Sequence, residues 1–331
     1  FQKELQAGKV AFAELVGRII LLLTTIVAIQ FKFSFTEIML TIVASSLAQF
    51  WMLLRFTSRA IKLQLIIDFE IWKRIMTKTW PIALSVIFTT IYFKGDAIIL
   101  SLTRPYADVG IYGAAYKILE VLITLPILFM GLILPHLART YAENNKEEFN
   151  KFIQKAWDAL ALVTIPMVIG TLILAKPIMT LIAGSGYEDS AIVLQILIIA
   201  AGIIFLGSLF THAIVAVNQQ KHMIKYYGFA AVLAIILYII FIPTYTYYAA
   251  AVVTVIAELL IALAAFIKVK KQSQFTLSMK GFITILFASI LMGLALYIFS
   301  NTGLGILIIL GIIIYGIVIW MLRHRLSLMK V

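Results

Sequence analysis

PIALSVIFTTIYFKGDAIILSL, residues 81–102, is an apolar run in which only Lys94 and Asp96 carry charge. A bilayer core about 30 Å thick takes roughly 20 apolar residues as a helix. The run therefore has the length of a membrane span. A full charge at the bilayer centre costs about 2.5–3.5 kcal/mol, so each of its two charged residues needs a partner or a task. The surrounding chain has the same character: 63% of its 331 residues are hydrophobic and only 13% are charged, whereas a soluble domain carries about 25% charge. The composition is that of an integral membrane protein. Cysteine is absent, which excludes disulfides, thiolate metal sites and thiol nucleophiles.

Outward from this run, apolar segments separated by polar or turn-forming residues predict ten spans, near 11–30, 36–55, 79–101, 111–136, 152–175, 191–216, 226–243, 248–267, 281–299 and 303–322. The predicted fold is all-α, a polytopic bundle of about ten transmembrane helices. With the N-terminus in the cytoplasm, 21 of the 27 basic residues fall in cytoplasmic segments. Three, Lys32, Arg104 and Lys176, fall outside, and Arg18, Lys94 and Lys117 lie within spans. This asymmetry sets the expected orientation and accounts for the formal charge of +12 without nucleic acid. The chain opens FQKELQAGK, with no signal-peptide apolar region. Its longest connection has Asp68 as a candidate cap before Phe69, Ile71, Trp72, Ile75 and Met76 at helical spacing, the pattern of an amphipathic helix on the membrane surface.

Catalytic constellations are missing. GLGILIILG at 303–311 has the wrong spacing for a phosphate loop. His136, His212, His222 and His324 form no metal-type pair and read as interfacial or structural. No cofactor motif is present, and transport is favoured over enzymatic chemistry. Among the intramembrane charges, Glu14 and Arg18 share a helix face, as do Lys117 and Glu120. Glu258 has no cation within two turns, which makes it the candidate for ion coupling. Lys94 and Asp96 point about 200° apart on a helix and cannot pair directly. Asp96 is expected to pair with Lys117, with Glu120 competing for that lysine. Lys94 is then left to face a cavity or to snorkel outward. Pro126 and Pro166 fall mid-span and predict kinks, and Tyr106, Tyr112, Tyr116 and Tyr187 read as an aromatic belt.

Several segments together carry a family resemblance: DFEIWKRIMTKTWPIALS (68–85), GDAIILSLTRPYADVGIYGAAYKILEVLITLP (95–126), KPIMTLIAGSGYEDSAIVLQIL (176–197) and AVNQQKHMIKYYGFAAV (216–232). In order and spacing they resemble the Wzx-like polysaccharide-export flippases, of the superfamily that includes multidrug and toxin exporters and lipid II flippases. One departure is PTYTYYAAAV (243–252), where family members carry glycines at an external turn. The resemblance implies a two-lobed transporter joined late in its first lobe, with about four helices preceding this sequence. Residues 1–56 would be the last two helices of the first lobe, 57–78 an amphipathic linker, 79–270 the second lobe and 271–331 two further helices. It also implies a multi-pass protein of the inner membrane that moves a polyprenyl-diphosphate-linked oligosaccharide by alternating access. Arg18, Lys94 and Lys117 are then the candidate cations for the diphosphate and Glu258 the candidate for H+ or Na+ coupling. Membrane lipids and glycan-assembly proteins are the other expected partners. Two further readings stay open: a cation-coupled multidrug exporter of the same superfamily, and a non-transporting membrane scaffold.

Overall fold

The computed structural model describes residues 7–60, 68–300 and 302–322; Lys3, Lys62, Arg323, Arg325 and Lys330 of the charge count, and His324, lie outside them. Among the described residues every regular element is helical: α1 (Ala7–Gln30), α2 (Phe35–Ala60), α3 (Phe69–Thr103), α4 (Tyr106–Leu122), α5 (Thr124–Ala142), α6 (Lys146–Ala183), α7 (Ser190–Ala216), α8 (Gln220–Ser273), α9 (Lys280–Ile298) and α10 (Leu304–Leu322), with a short 3-10 turn at Ser185–Tyr187. Nine helical stretches among them are long and apolar enough to cross a membrane, with α4 and α5 forming one of these, Tyr106–Ala142.

The tenth crossing lies within α8. Its 54 residues would extend about 80 Å if straight. Instead the hydroxyls of Tyr238 and Thr254, 16 residues apart, approach to 3.4 Å. The helix therefore folds back on itself at Thr246, which adopts φ 53° and ψ −141°. Its two arms, 220–245 and 247–273, supply the two spans expected on either side of PTYTYYAAAV. In place of a loop, a single non-helical residue makes the turn.

Local sequence explains the other boundaries. Asp68 caps α3, its Oδ1 accepting the N–H groups of Glu70 at 2.9 Å and Ile71 at 3.1 Å. The helical assignment continues to Thr103, taking in both the residues expected to lie on the membrane surface and the span after them. Of the expected linker 57–78, residues 57–60 end α2 and 61–67 lie outside the described residues. Pro126 opposes a helical carbonyl at Leu122, and α4 ends at that residue. Pro166 leaves α6 uninterrupted. The carbonyl it deprives of a partner, that of Leu162, accepts the Tyr315 hydroxyl of α10 at 2.7 Å.

The chain divides into two compact units, Phe1–Arg74 and Ile75–Val331, with the division inside α3. In the first, α1 and α2 form an antiparallel hairpin that sets Phe12 against Phe56, ring centroids 6.3 Å apart. In the second, α7 is the central helix, with Leu197, Ala200, Ala201 and Leu209 wholly buried. It runs parallel to the second arm of α8. At Gly207 a Cβ would lie 2.8 Å from that of Ala262, so glycine permits the close helix contact that van der Waals packing in a membrane relies on.

Candidate functional site

The Lys94-Gly95-Asp96 triplet sits well inside α3, and its three residues serve three different neighbours. Asp96 is 0% exposed. Its carboxylate accepts the Tyr112 hydroxyl of α4 at 2.5 Å and the backbone N–H of Ala97 at 2.6 Å. Gly95 lets the first arm of α8 close in, since a Cβ there would stand 2.9 Å from Ile235 Cδ1. Lys94 turns the other way, donating to the Glu120 carboxylate and lying 5.2 Å from the centroid of the Tyr116 ring.

The expected Asp96–Lys117 pair is not formed. Tyr112 and Tyr116, one turn apart on α4, occupy the face packed on α3, and both are buried instead of standing in an aromatic belt. Lys117 follows Tyr116 about 100° further round the helix, and its side chain is 76% exposed. It joins Glu120 at 2.9 Å, the competing partner.

Hydroxyls continue the polar string across the bundle. Tyr116 donates to the Phe93 carbonyl at 2.5 Å and Tyr238 to that of Tyr92 at 3.0 Å. Thr254 meets Tyr238 and back-bonds to Ala250 at 3.0 Å. One turn further along the same arm lies Glu258, 7% exposed, whose Oε1 has no hydrogen-bond partner among the described residues. The Tyr92 side chain is its polar neighbour.

Glu258 and Lys94 line one cavity of about 410 Å³, together with Thr89, Thr90, Ser208, Thr211, Tyr227 and His212 and with apolar residues such as Phe93, Ile203 and Ile261. Two helices that are distant in sequence thus present a cation and an acid to the same space. His212 was passed over in the sequence because it has no nearby ligand type. Its Nδ1 donates to the Ser208 carbonyl at 2.8 Å, leaving Nε2 as the ring's other polar atom. Arg18, the remaining sequence candidate, belongs to the first unit and lies 3.6 Å from Glu14, with both side chains largely exposed.

Similarity to known proteins agrees with this architecture. The family model described as polysaccharide biosynthesis protein matches residues 1–192, and that of the lipid II flippase MurJ matches residues 112–320. No curated protein sequence matches significantly. Among solved structures, "Lipid II flippase MurJ, inward closed conformation" aligns with a TM-score of 0.79 at 17% identity, over 95% of this chain and 67% of that one. The fold is that of a polytopic helical membrane transporter. The chain belongs to the Wzx/MurJ-like flippase family of the multidrug, oligosaccharidyl-lipid and polysaccharide exporter superfamily.

Proposed function

We propose that this protein moves a polyprenyl-diphosphate-linked oligosaccharide from the cytoplasmic to the external leaflet of the inner membrane by alternating access. The observation that carries this reading is the lysine on the wall of a largely apolar cavity, Lys94. A cation at that depth is costly in lipid and is stabilised by an anion. Glu120 supplies one anion and a diphosphate would supply one of higher charge, while Thr89, Thr90, Ser208 and Thr211 on the same wall offer oxygen atoms that can accept from sugar hydroxyls. Lys117 is a further candidate cation for that headgroup, and Arg18 is a candidate cation of the first unit. Glu258, buried and without a partner on Oε1 among the described residues, is the site at which H+ or Na+ couples to the cycle. The multidrug-exporter reading draws on the same acid, but Lys94 on the same wall repels an organic cation.

A flipping assay with a lipid-linked oligosaccharide in vesicles under an imposed ion gradient tests both roles. Lys94→Ala is expected to stop movement at unchanged protein level, and Lys94→Arg to retain much of it. Glu258→Gln is expected to abolish the response to the gradient. Normal movement by Lys94→Ala would refute the substrate role, and an undiminished gradient response in Glu258→Gln would return that residue to structure.

A further inference from the structure

Glu120 is shared by two lysines from two helices. Lys94 of α3 binds Oε1, and Lys117 of α4 binds Oε2 at 2.9 Å. Ile123 and Ile127, which follow Glu120 across the α4–α5 boundary, line the cavity together with Lys94. The carboxylate adjoins the cavity through Lys94, which lines it, and holds Lys117 on its other oxygen. Lys94 is nine residues from the Thr103 end of α3, about 14 Å along the axis and close to half of a 30 Å hydrocarbon core. The Lys94 side chain is half exposed and that of Lys117 three-quarters exposed. Charged groups so open at such depth do not face acyl chains.

We propose that Glu120 is a resident counter-anion: it occupies the lysines between transport events and has to be displaced by the diphosphate of the cargo. The proposal rests on the reading of Lys94 as a diphosphate ligand and adds a gatekeeper to it. A carboxylate that takes one cation on each oxygen offers the lysines what adjacent phosphates would offer. Partly exposed ion pairs of this kind are weak, so an anion of higher charge can replace the carboxylate, whereas the single negative charge of an ordinary phospholipid phosphate gains little by replacing Glu120. The carboxylate thus excludes bulk lipid and speeds release, because it reclaims the lysines as the cargo leaves.

Inorganic pyrophosphate and inorganic phosphate, titrated calorimetrically into the purified protein in detergent, test this. Glu120→Gln is expected to bind pyrophosphate roughly fivefold tighter, the loss of a competitor worth about 1 kcal/mol, and to lose part of its preference for pyrophosphate over phosphate. Glu120→Asp, with a shorter reach to the two lysines, should fall between the two. If either variant binds pyrophosphate as weakly as the parent or more weakly, while Lys94→Ala abolishes binding, Glu120 only positions the lysines and the proposal fails. Parental binding by Lys94→Ala would refute the underlying reading of the lysine, and the proposal with it.

Discussion

Asp96 is wholly buried, and the hydroxyl of Tyr112 and one backbone N–H hold its carboxyl. Removing a partner from a buried charged acceptor costs about 1.5–3 kcal/mol. Tyr112→Phe is therefore expected to lower stability by about 2 kcal/mol, measured as thermal or denaturant unfolding in detergent. On an Asp96→Ala background the same change should cost far less, since partners in contact are not additive. Fully additive losses would show that the pair is not energetically coupled. Lys117→Ala, on an exposed side chain, should change stability by less than about 0.5 kcal/mol and should not rescue Asp96→Ala. The local Lys117–Glu120 pair was legible from spacing, because residues three apart on a helix are neighbours. The Tyr112–Asp96 bond was not, because it depends on how α4 is rotated against α3.

Among the elements, α8 bears the clearest strain. Thr246 is β-branched and holds φ 53° and ψ −141° at the point where the arms fold back, a conformation that side chains other than glycine enter at a cost of about 1–3 kcal/mol. The sequence signalled this place as a departure from the family pattern it resembles, with no glycine in PTYTYYAAAV. Thr246→Gly is expected to raise stability by about 1 kcal/mol, the relief of strain less the entropic cost of glycine. A lower melting temperature in detergent would show that the threonine side chain contributes more than its backbone costs. The two mid-span prolines mark a contrasting case. Both break the helical hydrogen-bond ladder in the same way, yet α4 ends before Pro126 while α6 passes through Pro166. The hydroxyl of Tyr315, 153 residues from Leu162, compensates the second, and no local pattern could have announced it.

At the scale of the whole molecule, the second unit has two polar ends. At one, Lys146 meets Gln274 at 3.5 Å and Gln272 meets Tyr141 at 3.0 Å. At the other, Lys176 meets Glu188 at 2.9 Å and Ser190 donates to the Ile111 carbonyl at 2.7 Å. Along α6, Lys146 and Lys176 are 30 residues apart, about 45 Å. If the distribution of basic residues orients the chain, the first end is cytoplasmic. The absence of cysteine makes single-cysteine labelling clean. In intact cells, an impermeant thiol reagent is expected to modify Ser185→Cys and to spare Glu147→Cys and Gln272→Cys until the membrane is opened. Modification of Ser185→Cys only after permeabilisation would invert the orientation.

Hydropathy and length are sums over neighbouring residues, and a bilayer demands only that each crossing be long and apolar enough. Class, number of crossings and the presence of costly intramembrane charges were accordingly determined by the sequence itself. Which charge meets which partner is a matter of helix rotation and depth, and one residue of offset turns a side chain by about 100°. Lys94 and Glu120 are 26 residues apart, and Lys94 and Glu258 reach a common cavity from separate helices. Those encounters were decided only in the tertiary structure, where Tyr112 and Tyr116 set the face of α4 against α3 and Gly95 sets the approach of α8.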